Sequence, residues 1–458
     1  MTVITWILLA YFLLMTGIGI DSFFRVKSIS DYYISGKQGN LWQITGTLFA
    51  TIIGGSAILG TVELSQKAGW AAVWFLTSAS AGLFVLAIIA PKVSRLGHYT
   101  LPEMIRNFYG RRAERTAAFM IPFAWLGIIA VQIIAGAKVL SGLGIMSYSG
   151  SAWLCGVVFT LYTLLGGQKS ILKSDFVQAL IILAGVVVLF VLRRKACAGD
   201  NFPQLSPSTL FNEDFSAMDL FFLLVTYSVT FVVGPDIYSR IFCARDGKVA
   251  RKSVILTALL IIPVAYMLTF LGITAGNDIP PANENGFILP GTSFLPPWAL
   301  GLLVAALLSA VMSSADTTLL TSSLILAELV TGNLDKKESF NTTRVIIPVM
   351  GCLSILIALK VTSILNAFLI SLSFFSGAFI IPVIAGIAGW KVNRHLAYAA
   401  IITGGITTLA GKIVSNTVPG NGGNLLILLG FGLNAFLLLI PFTQKSKKKS
   451  LPHKYFNL

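Results

Sequence analysis

Apolar runs of about twenty residues, the length a helix needs to cross a hydrocarbon core about 30 Å thick, recur along this 458-residue chain. Such a chain has few ways to fold, because in lipid every backbone N–H and C=O must be satisfied inside the protein. Only helices and closed barrels achieve that. A barrel would show apolar/polar alternation over segments of about ten residues, and the sequence lacks it. The runs predict an all-α integral membrane protein with thirteen transmembrane helices. They fall at 2–20, 41–64, 69–91, 115–142, 148–166, 172–192, 217–240, 253–276, 297–330, 343–360, 363–389, 395–414 and 424–442. A charged fraction of 11%, less than half that of ordinary soluble domains, agrees.

The first run opens MTVITWILLAYF with neither a basic stretch nor a small-residue cleavage pattern, so it is expected to be a retained span. The net charge of +15 would suit nucleic acid, but its distribution suits a membrane. With the N-terminus outside and alternating helices, most Lys and Arg fall on the cytoplasmic side. Arg106, Arg111, Arg112 and Arg115 share one loop, Arg245, Lys248, Arg251 and Lys252 another, and Lys445, Lys447, Lys448 and Lys449 the tail. This positive-inside bias predicts a cell (inner) membrane protein with a cytoplasmic C-terminus, and it removes the case for a nucleic-acid partner. Arg193, Arg194 and Lys195 are exceptions at an outer helix end, where long side chains can reach headgroups.

Cys155, Cys197, Cys243 and Cys352 are too scattered for a disulfide framework or a zinc site, and His98, His395 and His453 read as ordinary polar residues. No loop has room for a soluble catalytic domain. The nearest approach to a phosphate-cradling loop, GITTLAGKI from Gly405, has one residue too many and Ile413 where a hydroxyl is needed. Neither enzymatic activity nor an organic cofactor is expected.

Two spans in corresponding places carry helix breakers. The second contains ATIIGGSAILG, with Gly54 and Gly55, and the seventh VTFVVGPDIYSR, with Gly234 and Pro235. A lone Gly pair reads most simply as close helix packing. A Gly-Pro in the matching helix favours a true break, because proline removes a donor and crowds the preceding turn. Breaks in corresponding places expose backbone groups that bind ions and substrate. Five helices separate the start of the second from the start of the seventh, which predicts inverted five-helix repeats at 41–192 and 217–389 with broken first and sixth core helices. A peripheral helix (1–20) precedes them, and two further helices (395–442) and a basic tail (443–458) follow. The ninth span contains SAVMSSADTTLLTSS from Ser309, in which eight of fifteen residues are Ser or Thr.

The stretches DYYISGKQG (31–39), ATIIGGSAILG (50–60), TLPEMIRNFYG (100–110), LYTLLGGQKSILKSDFVQ (161–178), GPDIYSRIFCARDGKVARKS (234–253) and AVMSSADTTLLTSS (310–323) resemble, in order and spacing, the sodium/solute symporter family, which includes bacterial sodium/proline and sodium/galactose transporters. The resemblance implies a LeuT-type fold with alternating access and a sodium ion as coupling partner. It places the main sodium site on the carbonyls of Ala50, Ile53 and Ala310 and the hydroxyls of Ser313 and Ser314. The spacing is compatible: Ala50 and Ile53 lie one turn apart before the break, and Ala310, Ser313 and Ser314 share one helix face. The resemblance further implies a second ion site at Asp175, with Thr317 as its nearest hydroxyl. Asp175 is equally open to a role as inner-gate partner of basic loop residues.

Asp316 lies one turn below Ser313, and a carboxylate in a membrane helix faces a protein interior or cavity. Asp236 and Arg240 have the spacing of a helical ion pair. The fold implies substrate candidates at Thr51, Ile52, Gly55, Ser56, Gln132, Tyr227, Thr230 and Phe231, and Lys138 would hold a carboxylate if it turned inward. Backbone amides freed beyond Gly54 suit an anionic group, favouring a small carboxylate or amino acid. Choline is disfavoured because Ile52 and Gly234 stand where aromatic faces would be needed, and sugars because the second helix between Thr51 and Val62 offers only Ser56 and Thr61. The expected activity is import of a small organic solute by sodium-coupled symport, with solute, sodium and bilayer as partners and no obligate protein partner. A transporter-fold sensor, a proton-coupled transporter and a passive channel are the alternatives.

Overall fold

A computed structural model describes residues 3–26, 28–96, 99–144, 146–197, 203–275, 295–361, 363–390, 392–418 and 420–440. The predicted tail, its lysines, His98 and His453 lie outside the described residues. Seventeen α-helices are described: α1 (Val3–Arg25), α2 (Ile29–Ile34), α3 (Leu41–Ile52), α4 (Gly55–Ala68), α5 (Val73–Arg95), α6 (Leu101–Tyr109), α7 (Arg111–Gly142), α8 (Tyr148–Ala196), α9 (Ala217–Leu223), α10 (Val229–Val233), α11 (Pro235–Cys243), α12 (Gly247–Ala275), α13 (Pro297–Thr331), α14 (Lys337–Ala358), α15 (Ile364–Ala388), α16 (Arg394–Thr417) and α17 (Gly422–Leu439). Among the described residues there are no strands beyond two isolated bridges.

Among the described residues, eleven helical stretches are long and apolar enough to cross a membrane. Two of these are interrupted at glycines with positive φ. One, Gly55–Arg95, joins α4 to α5 through a tight turn that begins at Gly69 (φ 57°). The other is α8, whose 49 residues would reach about 74 Å if straight, more than twice the hydrocarbon core. Its one non-helical residue is Gly167 (φ 56°, ψ −163°), lying against Tyr32, where a Cβ would come within 2.4 Å of the ring. The predicted spans 148–166 and 172–192 are thus two arms of one kinked helix.

Local chemistry sets the other ends. Asn40 and Gln43 form a reciprocal capping box that starts α3, and Ser216 and Asp219 do the same for α9. The second predicted span divides into α3 and α4 at Ile53 and Gly54, whose extended backbone (φ −76°, ψ 176°) leaves the helical path. The seventh divides at Gly234 (φ −59°, ψ 131°). Proline at the first position of α11 needs no donor there and holds the preceding residue extended. Just before it, Leu224–Ser228 form a π-helical turn.

The polar helix α13 is buried along nearly its whole length, packed against α7, α8 and α3, with α1 and α14 also in contact. Its hydroxyls face protein rather than lipid. The cysteines are free thiols. Arg193 donates to the Thr274 carbonyl at the end of α12.

Candidate sodium and solute site

Where α13 passes the break between α3 and α4, its hydrogen-bonded hydroxyls divide into two sets. Thr317, Thr318 and Ser322 each donate to the carbonyl four residues earlier, at 2.7 Å. Such back-bonding satisfies a hydroxyl within its own helix. Ser313 and Ser314 reach across instead: Ser313 Oγ lies 2.9 Å from the Ala50 carbonyl and 3.1 Å from the Ala310 carbonyl, and Ser314 Oγ lies 2.8 Å from the Thr51 carbonyl. Neutral oxygens from two helices therefore converge at the end of α3. Ile53 is buried at the break, its own N–H bonded to the Phe49 carbonyl. Gly54 is required for this approach, since a Cβ there would sit 2.2 Å from Ser314 Oγ.

Beside these oxygens is a small cavity of about 40 Å³. Thr51, Ile52 and Ser56 line it from the first broken helix, and Thr230, Phe231, Asp236 and Ile237 from the second. Ser314 and Thr318 bring in α13, so the cavity and the converging oxygens share a wall. Gln132 lines it as well, but its amide is committed to structure. Its Oε1 accepts from the Gly55 N–H at 3.1 Å, and its Nε2 donates to Ser56 Oγ at 3.0 Å. The amide expected to attract an anion at Gly55 is thus already capped by a side chain.

Besides Gly55, two expected residues are absent from the lining. Lys138 is not in the lining and lies within electrostatic reach of Glu63. Tyr227 is buried behind the wall, stacked on Phe75 at 4.5 Å and edge-on to Phe231 and Phe368. In their place the structure brings in Trp125 and Ile128 from α7 and Phe368 and Leu372 from α15. Helical spacing carries a signal for these, since Trp125, Ile128 and Gln132 lie at i, i+3, i+7 and Phe368 and Leu372 at i, i+4. The cavity has the aromatic walls that the sequence argument against choline found wanting. Among the described residues, the Trp125 indole N–H has no hydrogen-bond partner. A buried donor without a partner in a cavity wall is a ready contact for a ligand.

Arg240 decides the surroundings of Asp175. Its guanidinium is fully buried, and Nη2 lies 3.1 Å from Asp175 Oδ2 and 3.4 Å from Thr51 Oγ1, with a further contact to Thr317 Oγ1. Thr47 also donates to Asp175. The partner of Asp175 is therefore a membrane-embedded arginine of α11 and not a loop base. For the same reason Arg240 does not close an ion pair with Asp236 one turn earlier: the desolvated Asp175 carboxylate gains more from it than Asp236 at the cavity edge. Asp316 accepts from Thr163 Oγ1 at 3.1 Å and lies within electrostatic reach of Asp175 and Arg240.

A membrane protein with two broken helices meeting at a buried cavity, and hydroxyl and carbonyl oxygens in its wall, is a secondary transporter. The chain belongs to the sodium:solute symporter family, whose model matches residues 32–404. Sodium is the coupling ion of that family, and its members are transporters rather than enzymes. The chain is 25% identical over 429 residues to the sodium/pantothenate symporter of Escherichia coli strain K12, covering 87% of this chain and 88% of that one. It is 24% identical over 432 residues to the sodium/proline symporter of the same organism, covering 87% and 85%. A solved sodium-coupled sialic acid symporter in a substrate-bound outward-open state shares the fold, with a TM-score of 0.76 at 17% identity over 95% of this chain and 97% of that one.

Proposed function

We propose that this protein imports a small zwitterionic or anionic solute, an amino acid above all, by sodium-coupled symport with alternating access. The observation that carries the reading is the shared wall: Ser314 and Thr51 belong both to the converging oxygens and to the cavity lining. The main sodium site comprises the carbonyls of Ala50, Ile53 and Ala310 with the hydroxyls of Ser313 and Ser314. An ion there places its charge against the solute's carboxylate, so each favours binding of the other. The Trp125 N–H supplies a second contact for the carboxylate, and Asp236 with the aromatic walls suits an ammonium group. Pantothenate, proline and sialic acid, named for the similar proteins, all carry a carboxylate, which supports this class. Asp175 and Thr317, with Asp316 nearby, form a second ion site only when Arg240 is drawn away from Asp175.

In the same reading the chain crosses a cell (inner) membrane thirteen times with its N-terminus outside. The kink of α8, the α4–α5 turn and the matched breaks support that count and two inverted repeats. Inward sodium movement then gains about 2.3 kcal/mol per charge for each 100 mV of membrane potential, enough to concentrate solute without ATP.

The deciding experiment is uptake into proteoliposomes of radiolabelled L-proline, pantothenate and N-acetylneuraminate under an inward sodium or potassium gradient. Accumulation of one of them with sodium alone is expected. Uptake that ignores sodium and follows a proton gradient would overturn the coupling. Gly54→Ala provides an independent check, because the new methyl group forces Ser314 away. It is expected to cost about 1–3 kcal/mol of stability and to remove most of the rise in melting temperature that sodium gives over potassium.

A further inference from the structure

Helix α15 brings Phe368 and Leu372 to the cavity wall and, further along, contains Pro382. A proline inside a helix has no N–H to give the carbonyl four residues earlier, which here is that of Ala378. In lipid such a carbonyl must find its donor elsewhere in the protein. Asn434 of α17 supplies it, since its Nδ2 donates to the Ala378 carbonyl at 3.2 Å and to the neighbouring Gly377 carbonyl at 2.7 Å. The Asn434 side chain is fully buried, and among the described residues its Oδ1 has no partner. Its amide is therefore held by donation to α15. Gly404 of α16 makes the approach possible, because a Cβ there would collide with both the Gly377 carbonyl and the Asn434 amide.

The two arms of α15 on either side of this point are held differently. The arm that starts at Pro382 is pinned to other helices: Tyr109 of α6 donates to the Pro382 carbonyl at 2.6 Å, and Lys92 of α5 donates to the Ile387 carbonyl. In the arm before it, Ser371 and Ser376 bond carbonyls of α15 itself, and Phe368 and Leu372 face the cavity. Phe368 lies ten residues before Ala378. At a rise of 1.5 Å per residue that is a lever of about 15 Å, so a turn of about 10° at the proline carries the ring about 2–3 Å.

We infer that Asn434 is a positioning residue of the solute site. By supplying the donor that Pro382 lacks, it fixes the direction in which the first arm of α15 sets Phe368 and Leu372 against a solute. A helix outside the two proposed repeats thereby decides the fit of the cavity wall. The inference rests on the solute cavity proposed above, and it adds that the wall is adjusted separately from the sodium oxygens, which belong to α3 and α13.

The test combines a distance with kinetics in the full chain. Spin labels at Ser149→Cys and Asn366→Cys, both exposed positions, report the first arm of α15 relative to α8 in a Cys197→Ser/Cys352→Ser background, where the remaining thiols, Cys155 and Cys243, are buried. Asn434→Leu is expected to move the interspin distance by at least about 2 Å, the reach of a small turn at the proline. It should raise KM for whichever of radiolabelled L-proline, pantothenate and N-acetylneuraminate is transported about tenfold, the scale of part of one buried aromatic contact. The sodium concentration for half-maximal thermal stabilisation, measured without solute, should stay within about twofold of the parent. Pro382→Ala/Asn434→Leu, in which α15 regains its own N–H, should recover the melting temperature that Asn434→Leu loses. Asn434→Ala, which cannot overpack, serves in its place if the leucine variant does not fold. An unmoved distance, an unchanged KM, a sodium half-saturation that rises as far as KM, or no recovery in the double variant would overturn the assignment. If the parent takes up none of the three solutes, the proposed symport fails, and the interspin distance and the recovery still decide for or against Asn434.

Discussion

Replacing Ser313 and Ser314 together by alanine is expected to raise the sodium concentration for half-maximal stabilisation more than a hundredfold and to abolish sodium-driven uptake. Each hydroxyl is an oxygen of the proposed ion cage and holds a carbonyl of the broken helix in place, Ala50 for Ser313 and Thr51 for Ser314. A hydrogen bond to a charged group contributes about 1.5–3 kcal/mol. Losing two comparable contacts to an ion amounts to about 3–6 kcal/mol, or two to four powers of ten in affinity. The cost to the fold is much smaller, since interhelical hydrogen bonds in membranes average about 0.6 kcal/mol. The double variant should therefore fold and melt in potassium much as the parent does. Titration of melting temperature with sodium is the direct measurement, and each single variant should fall between. Unchanged half-saturation in the double variant would move the ion away from α13.

The second large effect is expected at Arg240. Arg240→Met leaves Asp175 buried without its partner, and Asp175→Leu leaves a buried guanidinium uncompensated. Either change is expected to cost about 3–5 kcal/mol, the penalty of an unpaired buried charge. The double change Arg240→Met/Asp175→Leu removes both charges and should recover most of that loss, because the desolvation cost of the pair disappears with its attraction. The recovery, read as a double-mutant cycle of unfolding free energies, measures the coupling. Arg240→Lys is expected to rescue poorly. Nη2 meets Asp175, Thr51 and Thr317 together, and a lysine cannot reproduce the geometry of a guanidinium fork. Simple additivity of the two single costs would show that the pair contributes nothing as a unit.

The helix breaks were legible because they are local. Gly234-Pro235 pairs a weak helix former with a residue that lacks a donor and so favours a break from within the segment, and Gly54 marks a place where only a missing Cβ lets α13 approach. The i, i+3, i+4 spacing of Ala310, Ser313 and Ser314 likewise follows from helix geometry. The role of Gln132 was not legible, since an amide in an apolar helix can serve a ligand or a cap equally well. Its 3.1 Å bond to Gly55 depends on how α7 docks against α4. The same holds for Trp125 and Phe368, which read as ordinary lipid-facing or core residues until α7 and α15 meet at the cavity.

The sequence by itself determined that the chain lives in a membrane, that it is helical, where its helices break and which of its hydroxyls share a face, because length, periodicity and backbone sterics act over a few residues. Only the tertiary structure decided that Arg240 answers Asp175 rather than Asp236, that Lys138 stays out of the cavity, and that Tyr227 stands behind the cavity wall. Those choices are made between helices far apart in sequence, by which buried charge lies near enough to be neutralised and which ring fills the space between packed walls.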